Sequence, residues 1–178
     1  AEAFINQVNR AVGIVTSSSN ASIGVGLTWM SGISTAHVAI NDLVDNSNFI
    51  AGTKVTYVGV SSVQLDRAST NTVAATASNV SFLGPTTSYT SASATKSILI
   101  GGTFANNTAN SVNLTVTVYD NSATTESQLA AKIPVPTGSS FVISDAGKTV
   151  LEGDDEVRVY CDTENAIDVN LSILKGVS

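Results

Sequence analysis

Val112, Leu114, Val116 and Val118 alternate with Asn113, Thr115, Thr117 and Tyr119. A period of two sustained in this way marks a strand with one buried and one polar face. The same alternation runs through Val157, Val159 and Cys161 against Glu156, Arg158, Tyr160 and Asp162. It returns in Ile167, Val169, Leu171 and Ile173 against Asp168, Asn170, Ser172 and Leu174. One-faced ribbons need a second sheet over their apolar sides, which predicts an all-β fold with an antiparallel β-sandwich or jelly-roll-like C-terminal half. Its core is expected to contain Val112, Leu114, Val116, Val118, Val157, Val159, Val169, Leu171 and Ile173, because a one-residue slip would expose each aliphatic row.

Turn signals punctuate the ribbons. Pro134-Val135-Pro136-Thr137-Gly138, Asp145-Ala146-Gly147-Lys148 and Glu152-Gly153-Asp154-Asp155 read as turns, started by proline and glycine in the first and with glycine able to take positive φ in the other two. The one helical candidate is residues 2–12, where Phe4, Ile5, Val8, Ala11 and Val12 roughly follow helical spacing, against the cost of β-branched side chains.

The first half is less regular. Residues 23–29 and 36–40 read as strands, residues 42–48 as a loop, and residues 54–60 and 62–66 as a hairpin or bent strand about Gly59. Residues 68–78 are almost all Ala, Ser, Thr, Asn and Val, too small to fill a core layer alone. A second small-residue stretch, residues 85–94, is the best linker candidate. The expected division is therefore a less regular, β-rich N-terminal arm or domain over 1–90 that leans on partner chains, and a sandwich over 91–178. Charge agrees: residues 1–89 carry three basic and four acidic groups, residues 90–178 five and ten.

Composition narrows the function classes. Hydrophobic residues make up 43 % and charged residues 12 %, about half the usual charged share, with 24 Ser and 21 Thr in their place. A mean hydropathy of +0.23 argues against disorder, and no apolar run approaches the roughly 20 residues of a spanning helix. Eight basic against 14 acidic residues make nucleic acid a poor partner, since phosphate binding needs clustered Lys and Arg. The first residues show no basic segment followed by an apolar core, so no signal peptide is expected, and Cys161 lies too far from the C-terminus to be a prenylation signal. One cysteine forms no internal disulfide, and one histidine builds no histidine-based metal site.

Few residues invite chemistry. His37 sits in an expected strand and reads as a structural or exposed histidine, since a triad would need an activated Ser and an orienting carboxylate beside it. Cys161 falls on an apolar face and reads as a small buried hydrophobe. Glu152, Asp154, Asp155 and Glu156, with Asp162 and Glu164 nearby, form the one charge concentration. Their spacing does not match a calcium loop, and nothing singles out a glycosidase pair. A solvated hairpin tip that keeps strand edges from pairing is expected. Trp29, Met30, Tyr57 and Tyr89 are scattered in sequence and read as core or interface packing. No catalytic, cofactor-binding or metal-binding residues are therefore assigned, and no cofactor is expected.

The order of the second half resembles small β-sandwich virion structural proteins of tailed phages, in particular those infecting marine cyanobacteria. The resemblance covers roughly residues 88–176. Its signposts are Ile133-Pro134-Val135-Pro136-Thr137-Gly138-Ser139-Ser140, the hairpin Val150-Leu151-Glu152-Gly153-Asp154-Asp155-Glu156-Val157-Arg158-Val159, and the closing Asp168-Val169-Asn170-Leu171-Ser172-Ile173-Leu174. Residues 49–70 are similar to stretches of the same proteins. The resemblance implies a β-sandwich on the particle surface, made in the bacterial host cytoplasm, and supplies no catalytic residues. It points to a non-enzymatic role in capsid decoration or cementing, or in the neck, tail or fibre. The partners would be other virion proteins and further copies of the chain, a trimer first, with no nucleic acid and no membrane. The competing expectation is a carbohydrate-binding or host-adhesion module, since β-sandwiches also bind glycans through loops at one end.

Overall fold

Every regular element in the computed structural model, which describes residues 2–144 and 148–177, is a β-strand. The turn expected at residues 145–148 lies, apart from Lys148, outside the described residues. The chain forms two units, one made of Ala1–Gly13 with Thr86–Ser178 and one of Ile14–Pro85.

The discontinuous unit is a sandwich of two antiparallel sheets. In the first, the order is β1 (Ala3–Val12), β15 (Ile167–Val177), β9 (Lys96–Asn106) and β12 (Ser140–Ile143), with β13 (Thr149–Leu151) also paired to β9. The second runs β11 (Thr125–Val135), β10 (Val112–Asp120), β14 (Glu156–Cys161) and β8 (Thr86–Thr90). Between them lies one buried cluster, with Val12, Leu99, Phe104, Val169, Leu171 and Ile173 from the first sheet and Val112, Leu114, Val116, Val157, Val159 and Cys161 from the second. All nine core positions expected from the alternation are at most 8 % exposed, but the polar phase is not uniformly solvated, since Thr115, Thr117 and Tyr160 are buried as well. The sheet needs glycine at one point: a Cβ on Gly102 would sit 2.8 Å from Leu171 Cδ2 and 3.2 Å from the Phe104 ring.

The continuous unit is a six-stranded sheet in the order β4 (Leu43–Asp45), β7 (Ala75–Gly84), β2 (Ile14–Ile23), β3 (Trp29–Ser31), β6 (Ser62–Leu65) and β5 (Val55–Val58). A single sheet must have one face covered. Here the loops contribute to that cover: Ile33, Val38 and Phe49 lie outside the strands and pack with Ile23, Met30, Val63, Val80 and Phe82.

Several expectations are corrected. Residues 2–12 form strand β1, not a helix. Their exposure alternates residue by residue, and pairing with β15 from Ala3↔Lys175 to Asn9↔Val169 satisfies a β-branched segment better than a helix would. That pairing also places the N-terminus with the C-terminal half, so two chain crossings, at residues 13/14 and 85/86, replace the single boundary near 90. The expected linker at 85–94 contains β8, registered against β14 from Thr86↔Val159 to Thr90↔Glu156. Two of its small side chains, Ser88 and Ser91, are packed at 1 % exposure, while Thr87, Thr90, Ala92, Ser93 and Ala94 are exposed. The expected strand at 23–29 ends at Ile23, where the chain turns through Gly26 at φ +62. Residues 36–40 are not a strand: His37 sits in a turn at φ +65, and the Val38 N–H donates to the Thr35 carbonyl at 3.1 Å. The expected loop 42–48 contains β4. The hairpin about Gly59 is present as β5 and β6, closed by the Gly59 N–H on the Ser62 carbonyl at 2.8 Å. The small side chains of 68–78 do not leave the first half without a core, because Met30, Phe49 and Phe82 supply it.

Candidate interaction surfaces

The residues that the sequence offered for chemistry do not converge. His37 is exposed in its turn, and Cys161 is fully buried, where desolvation pushes its thiol pKa up to about 11. A thiol so placed is not a ready nucleophile.

The acidic group is divided by its own turn. Asp155 is 5 % exposed and accepts the Glu152 N–H at 2.8 Å and the Asn121 N–H at 3.0 Å. It is a structural clasp, which corrects its expected place at a solvated tip. Glu152 turns outward to Lys96 at 3.1 Å, and Glu156 accepts from Arg158 Nε at 2.7 Å and from the Thr87 hydroxyl at 3.2 Å. Among the described residues, no three His, Cys, Asp or Glu side chains gather as a cation would require.

Another polar cluster was not anticipated. Glu126, with a side chain 2 % exposed, lies 3.7 Å from Arg158 Nη1 and accepts the Tyr160 hydroxyl at 2.8 Å and the Thr117 hydroxyl. Arg158 also stacks over the Tyr119 ring at 3.9 Å. The alternation placed Thr117, Tyr119, Arg158 and Tyr160 together on the polar face, but the pairing of β10 with β11 was needed to bring in Glu126. Elsewhere, burial raises the Asp42 carboxyl pKa against the pull of its hydrogen bond from the Ala39 N–H.

The outer sheet faces are more informative. Cross-strand register sets Phe4 opposite Leu174, Leu174 opposite Ile98, and Ile98 opposite Val150. Directly opposed residues share a face, so four strands present one apolar row on the outside of the sandwich. Phe4 is 77 % and Val150 56 % exposed, with Leu174 and Ile98 half-buried between them. Ile100 and Phe4 line a shallow depression on the same sheet with Asn6 and Ser172. Val8 and Val142, also exposed, add to the apolar content of the outer strands. Contiguous apolar surface of this kind marks a contact site more often than isolated exposed side chains do. The sequence held a partial signal, since Leu174 is the apolar residue in the polar phase of its strand.

The six-stranded sheet carries an aromatic row. Trp29 and Tyr57 both stand opposite Gln64 and meet edge to face, with centroids 5.8 Å apart and planes at 62°. They are 45 % and 52 % exposed, so of the expected core or interface packing these two leave only an interface. The next rung is hydroxylic, Ser62 opposite Ser31 and Ser31 opposite Ser22.

In comparisons with known proteins, no family model matches the chain, and neither does a curated protein or a solved structure.

Proposed function

We propose that this chain is a non-enzymatic structural protein of a tailed-phage virion that works by docking its β-sheet surfaces against neighbouring subunits. The observation that carries the assembly reading is the exposed row Phe4–Leu174–Ile98–Val150. Leaving such side chains in water forfeits roughly 25 cal/mol for each Å² that a partner would cover. The phage assignment rests on the resemblance over residues 88–176, and it places the chain at the particle surface as a decoration, cement, neck, tail or fibre component beside other virion proteins and copies of itself. The test is location. Antibodies against the chain should label gradient-purified particles from a phage lysate; label confined to the soluble fraction, with none on particles, overturns the reading.

The second reading is a host-adhesion module that binds glycans. Its supporting observation is the exposed Trp29–Gln64–Tyr57 row beside the Ser22–Ser31–Ser62 rung, which couples aromatic faces for sugar C–H groups to amide and hydroxyl partners. Glycan-array binding abolished by Trp29→Ala favours this reading; no binding on the array removes it.

A further inference from the structure

We infer that β1 is a self-pairing edge, and that two copies of this chain join across a twofold axis at Asn6 to continue the β1–β15–β9 sheet. The inference rests on the assembly reading above and names one partner, a second copy.

β1 is the terminal strand of its sheet and is ten residues long. An edge of that length is normally blunted by lysine, proline, a central bulge or a cover. β1 contains no lysine or proline, and its register with β15 is unbroken from Ala3 to Asn9. The irregularity comes only afterwards, where Ala11 takes φ +54 and its N–H is held by Asp168 Oδ1 at 2.9 Å.

The side chains select the register. Antiparallel pairing of an edge with itself sets residues of the same phase opposite one another, about an axis through one residue or one pair. Asn6 is the midpoint of the unbroken stretch Ala3 to Asn9, so an axis there uses all of it. With that axis, Phe4 faces Val8 of the second copy, Asn6 faces Asn6, and Glu2 faces Arg10. All five residues are on the exposed phase of the strand. Sliding by one step of the pleat in either direction breaks both matches: Phe4 then meets Asn6 or Arg10. The chosen register pairs apolar with apolar and acid with base, twice each by symmetry. It also joins the two apolar rows, because Phe4 is the end member of its own row. This surface is twofold, in place of the threefold assembly expected from the resemblance.

Sedimentation equilibrium on the full chain should show a monomer–dimer equilibrium. Arg10→Glu sets two carboxylates opposite each other at both ends, and should weaken the dimer about tenfold or more. The double exchange Glu2→Arg with Arg10→Glu should restore it, which also shows that the substituted strand folds. Asn6→Cys should give a disulfide-linked dimer on mild oxidation, since opposed α-carbons lie within disulfide reach. Val8→Cys should not, its two copies being offset by four residues, about 13 Å along the strand. A chain that stays monomeric at every concentration overturns the inference, as does an oligomer indifferent to Arg10→Glu or linked by Val8→Cys rather than Asn6→Cys. A monomer that still labels particles removes only the self-pairing; a dimer absent from particles removes the virion reading and leaves the self-pairing standing.

Discussion

Replacing Arg158 with Met keeps most of an aliphatic stem but removes the cation that Glu126 shares with Glu156 and the Tyr119 ring, so the Glu126 part is read from the double-variant cycle below. At 3.7 Å from Glu126, the gross attraction at an effective dielectric of 20 is about 4.5 kcal/mol. Desolvation of both ions offsets much of this in the intact protein, which is why the pair itself adds little net stability. Removing one partner is a different matter, because Glu126 stays buried with its side chain 2 % exposed and loses its cation. Such a break costs about 3–5 kcal/mol. The hydroxyls of Tyr160 and Thr117 still donate to Glu126, which sets the expectation near the lower end, about 3 kcal/mol. For a chain of this size that corresponds to a fall in Tm of roughly 6–12 °C. The assay is chemical and thermal unfolding followed by far-ultraviolet circular dichroism, with Glu126→Gln and the double variant completing a cycle. Removing both charges should recover at least about 1 kcal/mol relative to the sum of the single losses. A cost below about 1 kcal/mol for Arg158→Met, or strict additivity in the cycle, refutes the reasoning.

Three further outcomes are expected. Cys161 is buried and its pKa stands at about 11, so an aromatic disulfide reagent at pH 8 should leave the native thiol untouched and modify it once the chain is denatured; rapid stoichiometric labelling of native protein contradicts the burial. The folded pKa of Asp42 is raised by burial, so the folded state binds more protons than the unfolded one above the ordinary carboxylate range, and stability falls as pH rises through that interval. Asp42→Asn, which keeps an acceptor for the Ala39 N–H, should remove this fall, and unchanged pH dependence in urea melts would contradict the assignment. Gly32 has φ +73 and a Cβ there would lie 2.6 Å from the Asn20 carbonyl oxygen, so Gly32→Ala should cost about 2 kcal/mol or more, read by Trp29 fluorescence in an unfolding titration; a neutral substitution would show that the turn relaxes freely.

What the sequence by itself determined is the part of the fold governed by local periodicity. Val112 to Val118, Val157 to Cys161 and Ile167 to Ile173 had to be strands, since no other backbone repeats every two residues, and their aliphatic rows are buried as the alternation requires, although Thr117 and Tyr160 on the other phase are buried too. Cys161 was legible for the same reason. The tertiary structure decided what depends on partners distant in sequence. Residues 2–12 carry a pattern that helical spacing fits loosely, and the long-range pairing with β15 made them a strand. Ser88 and Ser91 look like linker material until the fold buries them, because a small side chain reports nothing about burial by itself. Glu126 gave no sign of its role, as its partners Arg158 and Tyr160 arrive from another strand. The same is true of the surfaces. Phe4, Ile98, Val150 and Leu174 are far apart along the chain and one row in space, and Trp29 meets Tyr57 because both strands pair at Gln64. Period two records which way each side chain points, but register is a property of two strands together, and rows on a sheet are made by register.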